Sequence, residues 1–204
     1  MNKTWPVTLR AQVGSDVVVL RPLGRRDANN WLRLRSVNHA WLEPWEATKP
    51  KPTEGTVVFG DYVRSLRKQA RRGASLPFAI EHNSALVGQL TVSSISRGSL
   101  WSATMGYWVG RQTAGRGVAP TAVAMAADHC FTTLGLHRME INIRPENERS
   151  LRVVQKLGFR DEGIRERYLH IDGEWRDHQS FALTAEEVPE GVLARWLATR
   201  RETR

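Results

Sequence analysis

The stretch Gly110-Arg-Gln-Thr-Ala-Gly-Arg-Gly-Val-Ala-Pro120 places three glycines directly before a segment with a helical pattern. Glycine lets a backbone approach a ligand closely, and the first N–H groups of a helix have no partner within it. The helix dipole adds positive potential there, so a phosphate is the natural guest. The common phosphate motifs do not account for it. No Gly-Lys-Ser/Thr is present, and G-x-G-x-x-G fails because Gly115-Arg-Gly117 runs on into Val-Ala-Pro. A purely structural glycine turn is the plain alternative. Thirty residues after Gly117 comes Asn147-Glu-Arg-Ser150. Amide and hydroxyl side chains of this kind cap helices, and they also bind ligands or move protons. Glu140 alternates with Asn142 and Arg144 along a strand pattern. It is either a proton acceptor working through water or a solvated strand carboxylate. Tyr168 either orients a substrate or is a half-buried strand residue.

Other chemistries lack their residues. Six histidines show no metal spacing, and the single cysteine, Cys130, makes neither an internal disulfide nor a zinc cluster. No metal is expected. No G-x-S-x-G is present, so serine hydrolysis has no support. With 204 residues and 41% hydrophobic content, the chain reads as one domain over 1–204 with one sizeable core. The net charge is +9, and arginine outnumbers lysine about five to one. An anionic cofactor, an acidic substrate or RNA would fit this balance, as would solubility alone. No run of 18 apolar residues occurs, and Met1 to Asp16 lacks the apolar region and cleavage site of a signal peptide. The expected location is the cytoplasm, with no membrane contact.

These residues need elements to position them. Asp16 to Leu23 reads as a strand, and Asp27 as the N-cap of a helix reaching Trp41. Leu42 to Thr56 is a loop with Pro44, Pro50 and Pro52. The following helix, to Arg72, carries Arg64, Arg67, Lys68, Arg71 and Arg72 on one face and apolar residues on the other. Pro77–Glu81, Leu86–Ser96 and Trp101–Val109 are strands. Ala119–Leu134 is a helix opened by Pro120 and closed by Gly135. Met139–Arg144 is a strand, and a short helix capped at Asn147 ends at Gly158. Arg165–Leu183 is a hairpin turning at Asp172–Gly173. Thr184–Glu187 has the form of a capping box for a C-terminal helix over about 185–200. The order gives a mixed α+β fold rather than strict βαβ alternation. Trp31, Trp41 and Trp45 either line an acceptor groove or pack in the core. Cys130 reads as an inert core thiol.

The spacing Gln112-x-x-Gly115-x-Gly117 resembles the acyl-CoA pyrophosphate loop of the GNAT N-acetyltransferase superfamily. Asn147-x-x-Ser150, followed by Leu157-Gly158-Phe159, resembles a second block of the same family. Trp41-Leu-Glu-Pro44-Trp45-Glu, Glu162-Gly163 and Asp172-Gly173-Glu-Trp175-Arg-Asp177 are similar to the branch of ribosomal-protein-alanine N-acetyltransferases, the RimJ/RimL-like enzymes. The resemblance runs from about Val17 to Leu183. It implies a single-domain GNAT fold: a mixed, mostly antiparallel sheet with flanking helices, whose strand ending at Val109 splays from the strand starting near Met139. The pantetheine arm of acetyl-CoA would lie in that gap against the main chain of Trp108 and Val109. The loop from Gln112 through Ala114, Gly115, Arg116 and Gly117 to Val118 would hold the pyrophosphate. Asn147 would bind the arm, with simple capping as its other reading, and Ser150 would sit near the thioester sulfur. Trp45 and Tyr168 would contact the acceptor.

Acetyl transfer needs a neutral amine, an oxyanion donor and a proton for the departing thiolate. The Val109 N–H is the expected oxyanion donor and Ser150 the expected acid. Related enzymes can use a glutamate as base where this sequence has Leu169, which leaves Glu140 as the alternative and favours an α-amine acceptor. The expected acceptor is a protein N-terminus of Ala or Ser type, on a ribosomal protein or the ribosome, with RNA contact through the basic helix. A polyamine or aminoglycoside acetyltransferase, whose site should be rich in carboxylates, is one rival. Glu43, Glu46 and Glu54 are too few to decide it. A non-catalytic CoA-binding or ribosome-assembly module is another. Monomer and homodimer remain equally open.

Overall fold

The computed structural model describes residues 5–51 and 58–202. Of the expected 42–56 loop, Pro52, Glu54 and Thr56 lie outside the described residues, as do Arg204 and the side chain of Arg201. Eight strands form one sheet: β1 (Leu9–Val13), β2 (Asp16–Pro22), β3 (Leu76–His82), β4 (Ala85–Ser96), β5 (Ser102–Val109), β6 (Arg138–Ile143), β7 (Arg160–Ile171) and β8 (Glu174–Thr184). Six helices surround it: α1 (Ala28–Val37), α2 (His39–Leu42), α3 (Phe59–Arg71), α4 (Val118–Thr132), α5 (Glu148–Leu157) and α6 (Val192–Glu202). The spatial order is β1-β2-β3-β4-β5-β6-β8-β7. Every neighbouring pair is antiparallel except β5 and β6, which run parallel. This is the single-domain α+β fold the resemblance implied.

Period-two alternation explains the layering. Phe78 and Ile80 of β3 enter the large core with α4, while Ala79 between them faces the opposite way, toward Phe59 and Val63 of α3. The sheet is thus covered on both sides. α4 is buried almost all round, and its alanines at 122, 124, 126 and 127 let the sheet and α6 approach closely. Cys130 sits in this core, and burial pushes its thiol up to about 12, as suits an inert side chain. Among the described residues no helix is long and apolar enough to cross a membrane.

Four local readings change. β1 went unread because Leu-Arg-Ala-Gln-Val carries only Ala11 and Val13 toward the core, a weak alternation. The helix expected from Asp27 to Trp41 breaks at Asn38, whose buried side chain donates from Nδ2 to the Leu34 carbonyl (2.8 Å) and accepts from the Arg111 N–H (2.8 Å). Asp27 holds the N-cap position of α1 as expected, but its side chain makes no capping bond there. Its carboxylate takes the Gly24 N–H (2.7 Å) and the Arg21 guanidinium, holding the short 3-10 turn before α1. Finally, Glu187 turns back on the Thr184 N–H (2.8 Å) to close a 3-10 turn, and α6 starts only at Val192. The cap of α6 comes from Asp128 on α4, which accepts the Val192 and Leu193 amides at 2.6 and 3.0 Å.

Candidate active site

β5 and β6 pair only at Ser102–Arg138, Ala103–Met139 and Thr104–Glu140. Beyond these residues the two strands separate. The Gly110 N–H donates to the Val87 carbonyl at 2.8 Å, so in antiparallel alternation Trp108 also pairs toward β4, while Val109 turns its polar groups to the open edge. The Val109 carbonyl accepts the Trp41 indole N–H (3.0 Å), which leaves its own N–H facing the gap. The Trp108 main chain pairs toward β4, and the residue also lines the site.

A cavity of about 830 Å³ opens along this edge. That volume is sufficient for a cofactor arm together with part of an acceptor. Trp108, Val109, Ala114, Gly115, Gly117, Val118, Asn147, Ser150 and Trp45 line it. Gln112, Arg116, Glu140 and Tyr168 do not. In the glycine loop, Thr113, Ala114 and Arg116 spend their N–H groups on the turn itself, bonding Gly110, Arg111 and Thr113. Among the described residues, no hydrogen bond takes the amides of Gly115, Gly117, Val118 and Ala119, which stand at the N-terminus of α4. Gly115 and Gly117 have φ of 81° and 82°, a region costly for other residues. A Cβ on Gly117 would also fall 2.0 Å from Nη1 of Arg200, which brings a cation from α6 against the loop. Four free amides, a helix N-terminus and a guanidinium make a fitting seat for a pyrophosphate.

Asn147 accepts the Ser150 N–H at 3.1 Å, so it is a helix cap and a cavity wall at once. The capping uses only the Ser150 backbone and spares its hydroxyl. That hydroxyl lies beside Tyr107, whose own hydroxyl is buried without hydrogen-bond geometry to any described partner. Burial raises the Tyr107 pKa, and the neighbouring Ser150 offsets part of that rise.

Glu140 is the main correction. One carboxylate oxygen accepts Arg138 Nε (2.8 Å) and the other accepts Arg165 Nη2 (3.0 Å), away from the cavity. A carboxylate held by two guanidinium groups outside the cavity wall is poorly placed to take a proton from a group bound there. Tyr168 packs edge-on against His178 (5.6 Å between centroids) beside Arg165, outside the cavity. Leu169 faces Arg176 across the β7–β8 ladder and supplies no acid or base. Trp41 and Trp45 line the cavity, as does Trp31. Trp31 also donates to Gln89 Oε1 (2.9 Å), and Gln89 donates to Tyr62 (2.8 Å), so it serves both groove and packing.

Sequence reasoning missed Tyr107, Asn38 and Arg35, and weighed Arg200 only as part of a basic C-terminal tail with Arg195, Arg201 and Arg204 that could contact RNA or an acidic protein. It weighed Glu46 only as one of a few acidic residues. Their partners lie far off in sequence, and no local motif marks them. Near the acceptor end, Arg35 Nη2 meets Glu46 Oε2 at 2.5 Å. The segment after Glu46 is fixed to the hairpin: the Thr48 N–H donates to the His170 carbonyl (2.8 Å), and Ala47 bridges Ile171. No metal-binding cluster occurs among the described residues.

Residues 18–160 match the family described as Acetyltransferase (GNAT) domain. RimJ of Mycobacterium smegmatis, solved in complex with CoA-disulfide, superposes with a TM-score of 0.90 at 42% identity, covering 97% of both chains. The [ribosomal protein uS5]-alanine N-acetyltransferase of Escherichia coli is 28% identical over 184 residues, 89% of this chain and 95% of its own. Spermidine N(1)-acetyltransferase of Escherichia coli is also 28% identical, covering 78% of this chain and 82% of its own. The open β5 edge and its anion-binding loop therefore have a family setting: the chain belongs to the GNAT acetyltransferases and is an N-acetyltransferase that uses acetyl-CoA.

Proposed function

We propose that this enzyme acetylates the N-terminal α-amine, of Ala or Ser type, of a ribosomal protein in the cytoplasm. The observation that carries the reading is the charge of the cavity. Its wall holds Arg35, Arg149, Arg152 and Lys156 against Glu46, Glu146 and Glu148. All three carboxylates are engaged, Glu46 with Arg35, Glu146 with Arg144 and Glu148 with Arg152. A polyamine carries several positive charges and needs several open carboxylates. A protein N-terminus carries one, and the arginines suit the phosphates of acetyl-CoA.

In this reading the amide edge of β5 aligns the thioester, and the Val109 N–H supports the oxygen on which charge develops. The amine nitrogen forms its bond to the carbonyl carbon, and the carbon–sulfur bond breaks with its electron pair on sulfur. The Ser150 hydroxyl passes a proton to that sulfur and regains one from the nitrogen. The engaged state of Glu140 and the leucine at 169 fit an acceptor that asks little of a base. An α-amine has an ordinary pKa near ~8 and lysine near ~10.4, so a protonated lysine adds about 3 kcal/mol at neutral pH.

The test is a mass-spectrometric panel with acetyl-CoA: peptides starting with Ala, Ser or Thr, N-blocked peptides containing lysine, and spermidine. Acetylation of the free α-amines alone supports the proposal. Acetylation of spermidine alone overturns it in favour of the polyamine reading, which the spermidine acetyltransferase relative keeps in view. CoA binding with no product on any acceptor overturns it in favour of a non-catalytic module.

A further inference from the structure

The wall of the cavity is aromatic, and its tryptophan rings already carry cations. The Arg35 guanidinium stands over Trp31 (4.9 Å to the centroid) and Trp108 (5.7 Å), Arg149 over Trp41 (4.4 Å) and Arg144 over Trp45 (5.5 Å). A cationic acceptor therefore meets tryptophan rings that already carry guanidinium groups. A carboxylate is the stronger host for it. Of the three cavity carboxylates, Glu146 and Glu148 are largely exposed and lie on the cofactor side around Asn147. Glu46 differs from both. Its Oε2 is fixed by Arg35 at 2.5 Å, while its Oε1 is shielded from water and takes no hydrogen bond. A shielded carboxylate oxygen without a donor is costly, and such sites are usually completed by a donor group. The fixed backbone on its C-terminal side, Ala47–Thr48 on β7, holds the carboxylate in place.

Resting on the α-amine reading above, we infer that Glu46 receives the acceptor's single ammonium group on Oε1, with Arg35 as the positioning residue that aims it. A carboxylate has lone pairs enough for both cations. The ammonium gives one proton to Glu46, and the neutral amine then attacks the thioester. Glu46 thus sets the preference for an acceptor with one positive charge.

The experiment compares wild type, Glu46→Gln and Glu46→Asp. Calorimetry measures CoA, and then, on the CoA-loaded protein, an Ala-terminated peptide with a free or an acetylated N-terminus. The expected result is unchanged CoA affinity, at least tenfold weaker binding of the free-amine peptide to Glu46→Gln, and unchanged binding of the acetylated peptide. Glu46→Asp should recover part of the free-amine binding and of kcat/KM. Equal weakening of both peptides would overturn the inference by showing a structural role, as would wild-type turnover in Glu46→Gln. If Glu46→Gln fails to bind CoA, Glu46→Asp decides with the same pair of peptides: a selective loss for the free amine supports the inference, and an equal loss overturns it. Spermidine acetylation by the wild type, with no peptide product, would instead defeat the α-amine reading itself.

Discussion

Ser150 separates two tasks within one residue. Its N–H completes the Asn147 cap, while its hydroxyl stands in the cavity beside Tyr107. Ser150→Ala keeps the first and removes the second. The variant should fold and bind CoA within twofold of wild type, with kcat reduced about 100-fold, the lower range for loss of a positioned proton donor. Stopped assays and calorimetry read the two quantities separately. Unchanged kcat would exclude the hydroxyl from proton transfer. Asn147 and Ser150 were legible in the sequence because N-x-x-S is a local motif, and so was the glycine pair of the loop. Glu140 was misjudged for the opposite reason. Its fate depends on Arg138 in its own strand and on Arg165 on another strand, a partnership no spacing rule reveals.

At the scale of elements, the sheet beyond the splay is tied together by charge. Arg138 of β6 pairs with Glu140 and, at its other edge, with Glu162 of β7. Arg160 joins Glu162 (2.9 Å) and Glu187 of the 3-10 turn after β8. Arg138 first, and then Arg160, hold the Glu162 carboxyl at about 2, well below its ordinary range. A carboxylate lowered in the folded state contributes stability above its unfolded pKa. That contribution is lost as pH falls from about 4.5 through about 2. Glu162→Gln should cost about 1 kcal/mol at pH 7, given partial exposure, and the gap from wild type should narrow as pH falls below about 4.5 and close only below about 2. Thermal melts across that range check it, and a gap that does not change with pH would contradict it. The strands here were legible as a hairpin, yet the box at Thr184–Glu187 was read as the start of α6. The same residues close a tight turn, and the true cap, Asp128, lies on another helix.

For the molecule as a whole, the fold was legible where each element carried its own pattern: β2 to β8, α3, α4 and α5. What escaped was long-range, including the weak edge strand β1 and the break at Asn38 that joins α1 and α2 to the glycine loop. The basic face of α3 is also less uniform than its spacing suggests. Arg64 pairs with Asp61 at 2.6 Å, and Arg67 lies by Gly24, close enough to lower the Asp27 pKa. Arg25 and Arg26 stand in the same region, so the basic surface spreads from the helix onto the turn before α1. If this surface meets ribosomal RNA, Arg71→Ala with Arg72→Ala should weaken ribosome binding and flatten its salt dependence by about two charges, leaving CoA affinity unchanged. An identical salt slope in the double variant would remove the RNA role.

The most direct test of the account uses one peptide that offers both kinds of amine: a free N-terminal alanine and an internal lysine. After incubation with acetyl-CoA, fragmentation locates the acetyl group. The account predicts acetylation at the α-nitrogen with the lysine untouched. Acetyl on the lysine side chain, with the N-terminus free, would contradict it.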